Sequence, residues 1–204
     1  MIYQTILSGL IGSIAMLAVL YLITLSRIAN ADMVRALGSL VTKRLENSFG
    51  VGLIIYLLGG ILFSFLYFFI FQKFPRSDPG TLVFVGTFGG FIHGGLVSFA
   101  LIISVSEWHP LPRFQKVGFE VALAHIVGHI AYGATLALAY LKLVQGASIL
   151  PADGELGAHT IYVIVLVVFG IVFTGAAAAV SHSHRKNKDR TDRQQHQHLQ
   201  NHSS

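Results

Sequence analysis

Residues 117–143 read VGFEVALAHIVGHIAYGATLALAYLKL, a stretch whose only charged side chains, Glu120 and Lys142, stand near its two ends. A bilayer's hydrocarbon core is about 30 Å thick and takes about 20 helical residues to cross. The stretch is therefore long and apolar enough to span. Four others share the property, at 6–25, 51–71, 82–106 and 161–180, and none carries Lys or Arg before its edges. The expected fold is all-α, a polytopic membrane helix bundle of five transmembrane helices over residues 1–180. Residues 181–204, rich in His, Gln, Asn, Ser, Lys and Arg, are too polar to bury a core and read as a disordered basic tail.

Composition agrees with that reading. The chain is 53% hydrophobic and 11% charged with a mean hydropathy of +0.67, where a soluble domain carries roughly a quarter charged residues. It has no cysteine, which excludes disulfides, thiolate metal sites and cysteine nucleophiles. The net charge of +5 does not indicate nucleic acid, because the basic residues flank apolar runs instead of forming a face.

The basic residues orient the chain. Cytoplasmic loops retain Lys and Arg. Eleven of the 14 fall on one side: Arg27, Arg35, Lys43 and Arg44, then Arg113 and Lys116, then Arg185, Lys186, Lys188, Arg190 and Arg193. The other side has only Lys73, Arg76 and Lys142. An N-out, C-in topology is expected, with basic cytoplasmic flanks against anionic lipid headgroups. The segment 6–25 is not read as a cleaved signal peptide, despite Ala29 and Ala31, because no basic residue precedes it. Tyr3, Tyr21, Tyr67, Trp108, Tyr140 and Tyr162 fall near span ends and are expected to form aromatic belts.

Between the first two spans, residues 32–46 read as a short amphipathic helix, with Val34, Leu37, Leu40, Val41 and Leu45 apolar and Asn30 or Asp32 as its cap. Such a helix would lie apolar face down on the inner leaflet; a solvated connector fits the pattern equally well.

Chemistry is concentrated in the third and fourth spans. At about 100° per residue, Gly86, Gly89, His93, Val97, Ala100, Ser104 and Glu107 lie within about 60° of one line. The fourth span carries His125, His129, Tyr132, Leu136 and Tyr140 along its own stripe, the two histidines one turn apart. His93 and His129 both sit near mid-span, so the two stripes are expected to meet near the bilayer midplane. Three imidazoles there could ligate a transition metal, supply axial ligands to haem or relay protons, with Tyr132, Glu107 and Glu120 as partners in a polar network. The alternative is that His93, His125 and His129 are interhelical hydrogen-bond glue. The HxxxH spacing lacks the general base of HExxH, so hydrolytic zinc chemistry is not indicated.

Several runs taken together, DMVRALGS at 32–39, GGILFSFLY at 59–67, GGFIHG at 89–94, EWHP at 107–110 and HIVGHIAYG at 125–133, resemble an uncharacterised family of prokaryotic multi-pass integral membrane proteins. The resemblance covers about residues 9–140. It implies a bacterial or archaeal plasma membrane and assigns no role to any residue. With no nucleotide-binding or nucleophile motif and no carboxylate at mid-depth, a catalytic role is not expected. Two functions rank ahead of a membrane enzyme acting on lipid or quinone: an intramembrane histidine site for metal, haem or protons, or a structural or accessory subunit that packs into a homo- or hetero-oligomer through glycine-rich faces.

Overall fold

The computed structural model describes residues 1–74, 79–115 and 118–146. The fifth apolar segment, at 161–180, and the polar tail lie outside them. The described chain is entirely helical: α1 (Ile2–Leu25), α2 (Met33–Thr42), α3 (Ser48–Phe71), α4 (Pro79–Trp108), α5 (Pro112–Gln115) and α6 (Phe119–Leu143). Among the described residues α1, α3, α4 and α6 are the four helices long and apolar enough to cross a membrane.

The helix boundaries follow local chemistry. α4 opens on Pro79, whose missing N–H costs nothing in a first turn. It stops at Trp108, just ahead of Pro110 and Pro112. α2 is capped by Asp32, which accepts from the Arg35 amide at 3.3 Å and also pairs with its guanidinium at 3.1 Å. α2 ends at Lys43, which takes a left-handed conformation (φ 54°) in a position that usually falls to glycine.

The four long helices pack in the lateral order α4, α6, α1, α3, with α2 against the end of α3. α6 is the centre: 78% of its spanning window is buried, against 17–39% in the other three. Lipid leaves no hydrophobic drive between helices, so close approach falls to small residues. α4 meets α6 backbone to backbone. A Cβ on Gly86 would stand 2.4 Å from the Gly133 carbonyl oxygen, one on Gly133 2.0 Å from that of Gly86, and one on Gly90 2.3 Å from that of His129. α1 meets α3 in the same manner, Gly60 against Ser13 and Gly9 against Ser64 and Ile61. Hydroxyls on these faces bond within their own helices, as Ser13 does to Gly9 at 2.8 Å and Thr87 to Val83 at 2.7 Å.

α2 stands against the start of α3. It packs on α3 through its small residues: a Cβ on Gly38 would fall 1.8 Å from the Ser48 carbonyl oxygen, and one on Gly52 1.8 Å from that of Val34. Val41 is left exposed. The helix is also shorter than the expected 32–46. His109, 1% exposed, fastens α2 to the turn after α4: its Nε2 donates to the Ala36 carbonyl at 3.1 Å, and its Nδ1 accepts from the Leu111 amide at 3.0 Å. The segment between α1 and α3 and the turn between α4 and α6 therefore occupy one end of the bundle, and Arg27, Arg35, Lys43, Arg44 and Arg113 gather there. At the other end, Gln4 donates to the Leu143 carbonyl at 3.3 Å.

The aromatic residues divide in two. Tyr3, Tyr21 and Trp108 are exposed near helix ends, as an interfacial belt requires. Tyr67 and Tyr140 are instead buried, 4% and 2% exposed. Tyr140 lies edge-on to Phe68 with centroids 4.8 Å apart and 5.3 Å from Phe71, closing the junction of α3 with α6.

Candidate functional site

Midway along the bundle a cavity of about 110 Å³ opens. The space is large enough for several waters. It is lined from all four long helices: Ser13 and Met16 of α1, Tyr56 and Phe63 of α3, His93 and Val97 of α4, and His125, His129 and Tyr132 of α6.

The α4–α6 glycine contact is what brings the histidines together. Gly94 lies against the Cβ of His129, and Gly90 against its carbonyl. That approach sets the His93 and His129 rings edge to face, with centroids 4.7 Å apart. The His125 ring is 6.1 Å from that of His129, one turn along the same helix. Phe63 reaches across from α3 to cover His93, centroid to centroid 3.8 Å. Tyr132 completes the wall, and the Tyr67 ring stands edge to face with it at 5.9 Å.

The hydrogen bonding of the three imidazoles is unequal. His129 donates from Nδ1 to the His125 carbonyl at 2.8 Å, which assigns the proton to that nitrogen in the neutral ring and leaves Nε2 with its lone pair. Both ring nitrogens of His93 and both of His125 are buried without a hydrogen-bond partner. The hydroxyls of Tyr56 and Tyr67 share that state. Buried polar atoms are ordinarily paired; His93, His125 and Tyr56, with these unpaired atoms, all line the cavity. The histidines do not bond from helix to helix. That task falls to Tyr132, whose hydroxyl donates to the Gly60 carbonyl of α3, and to Ser64, which donates to the Thr5 carbonyl of α1 at 3.0 Å.

The stripe expected on the third span divides. Gly86 packs on α6, Gly89 faces the Tyr67 ring, and His93 and Val97 line the cavity, whereas Ala100, Ser104 and Glu107 are exposed. Glu107 stands at the end of α4, and the Glu120 carboxylate folds back over Gly118 in the first turn of α6; neither lines the cavity. Of the residues expected at the site, His93, His125, His129 and Tyr132 are on its wall. Tyr56, Phe63, Ser13 and Met16 were not foreseen. Tyr56 had a legible signal, as a tyrosine within an apolar span and away from its ends.

Chemically, the wall offers lone pairs and exchangeable protons in a small space. Among the described residues no three His, Asp or Glu side chains are grouped to hold one metal ion. The cavity is small and partly open. Comparison with known proteins returned no matching family model, no matching curated protein and no matching solved structure.

Proposed function

We propose that this protein sits in a prokaryotic plasma membrane with its N-terminus outside, and that its core passes protons through His93, His129 and His125. One observation carries the reading: two imidazoles with all four ring nitrogens unpaired lie on the wall of a mid-span cavity the size of a few waters. Imidazole exchanges protons near neutrality and bonds through either nitrogen, which suits it to a relay. Ionisable groups at this depth are expensive and by default serve transport or a bound ligand. The grouping favours protons over a metal ion. The orientation rests on the basic residues gathered at the end of α2 and α5.

The alternative is an accessory subunit in which the histidines only fill space between helices. It draws support from the glycine-mediated packing, but none of the three imidazoles bonds to another helix. Proton uptake into vesicles containing the full chain, driven by a potassium diffusion potential and read with an enclosed pH dye, separates the two. The relay predicts uptake above protein-free vesicles and its loss in His93→Ala and in His129→Ala, with both variants still monodisperse and helical. Absence of uptake in the wild type overturns the relay. Equal uptake in wild type and variants overturns the role of the histidines.

A further inference from the structure

The polar side chains that line the cavity fall into two sets. Ser13 and Tyr132 give their hydroxyl protons to the carbonyls of Gly9 and Gly60, and His129 gives its Nδ1 proton to that of His125. The second set has no partner among the described residues: the Tyr56 hydroxyl on α3, both ring nitrogens of His93 on α4 and both of His125 on α6. His125 is 2% exposed, so the surface cannot supply its bonds. A neutral imidazole has one donor and one acceptor, and a phenol hydroxyl both gives and accepts. Three side chains from three helices therefore ask for donors and acceptors together. No carboxylate, lysine or arginine lines the space, so a charged ligand would be buried without a countercharge.

We propose that the cavity is a binding site for ordered water, held by Tyr56 together with His93 and His125. Water offers donors and acceptors in the smallest volume, and a buried water takes about two to four polar partners. The three unpaired side chains supply them, and the space admits several waters.

The bond made by His129 gives this water a task, a part of the proposal that rests on the proton relay proposed above. An imidazole inside a relay receives a proton on one nitrogen and releases one from the other. With Nδ1–H held by the His125 carbonyl at 2.8 Å, His129 exchanges at Nε2 alone, so a proton does not cross its ring. His129 instead fixes the His93 ring, edge to face at 4.7 Å. Water supplies the way around it. A water takes the His93 proton as it passes one of its own to the next water, and the last water protonates His125. Each step breaks one N–H or O–H bond and forms one, and no proton is gained or lost. Tyr56 is the positioning residue that orients this chain.

Water-edited solid-state NMR of the full chain in lipid bilayers, with isotope-labelled histidine, reads the transfer of magnetisation from water to each ring. His93→Gln and His125→Gln assign the two signals. His109, bonded to protein through both ring nitrogens, is the reference for transfer unrelated to the cavity. Transfer to both rings is expected in the wild type. In Tyr56→Phe, which keeps the ring and removes one of the few partners each water has, it should be about twofold slower, with His109 unchanged. Proton uptake into vesicles should fall in the same variant. Absence of transfer to His93 and His125 in the wild type overturns the water site, whether or not vesicles take up protons. Equal transfer in wild type and Tyr56→Phe overturns the part given to Tyr56. Hydrated histidines in a wild type that takes up no protons overturn the relay and leave the water site standing.

Discussion

The hydroxyl of Tyr132 on α6 donates to the carbonyl oxygen of Gly60 on α3, and to reach it the ring crosses α1 at Gly12, where a Cβ would come within 2.9 Å of the ring. One side chain thus ties three helices, and it does so beside the cavity.

Removing only that hydroxyl should loosen the tie and leave the packing. Tyr132→Phe is expected to lower stability by about 1 kcal/mol, the scale of an interhelical hydrogen bond in a membrane. Reversible unfolding in mixed micelles, followed by circular dichroism, measures it. Gly12→Val should cost more, because the ring has to be displaced.

The α4–α6 contact leaves no room for a methyl group. Gly133→Ala should destabilise by about 1–3 kcal/mol, as overpacking does, and Gly86→Ala by a similar amount. Gly95→Ala, where a Cβ would meet nothing within 4 Å, should be neutral or slightly stabilising through helix propensity. Thermal midpoints of the three variants in one detergent make the comparison.

His109 holds α2 in place through the Ala36 carbonyl. His109→Ala leaves the Leu111 amide without its partner and removes one of the bonds to the Ala36 carbonyl, which keeps the Ser39 hydroxyl at 3.2 Å, at a cost of about 1–3 kcal/mol. Amide exchange by mass spectrometry should show faster exchange confined to Met33–Thr42 and the α4–α5 turn, with α6 unchanged.

Lys43 adopts a left-handed backbone that a side chain makes costly. Lys43→Gly should stabilise the protein by about 1 kcal/mol, and Lys43→Val should destabilise it. The same unfolding assay reads both signs.

Orientation can be tested separately. Single cysteines at Glu46 and Arg113 should be protected from an impermeant maleimide in intact cells, while those at Lys73 and Lys142 react. The reverse pattern would invert the topology.

The apolar runs made four spanning helices legible, because length and hydropathy alone decide what can cross hydrocarbon. The meeting of the third and fourth spans was legible too, through His93, His125 and His129. The contact that produces it was harder to see. Gly86, Gly90 and Gly94 recur every four residues, the spacing of close-packed membrane helices, yet the polar stripe through Gly89 and His93 lies only a fraction of a turn away and drew the eye first. Tyr67 and Tyr140 read as belt residues from their distance to the span ends, and only the three-dimensional course of α3 and α6 shows them facing inward. α2 has an amphipathic pattern whose apolar side suggested lipid, but its glycine and serine decide the contact, since backbone approach to α3 requires small residues. That Tyr132 should find the carbonyl of Gly60 depends on helix order, and periodicity does not encode it.

The glycine contacts have a mechanical consequence. α4 and α6 touch through their backbones at Gly86, Gly90 and Gly133, so there are few side-chain rotamers between them to yield, and the pair moves as one stiff beam. α3, seated on α1 through Gly60 and Ser13, forms the second beam. A change in the width of the cavity is then a rotation of one beam against the other about the α1–α6 contact. The strap across that hinge is the Tyr132 side chain, and it is the first bond such a rotation would load.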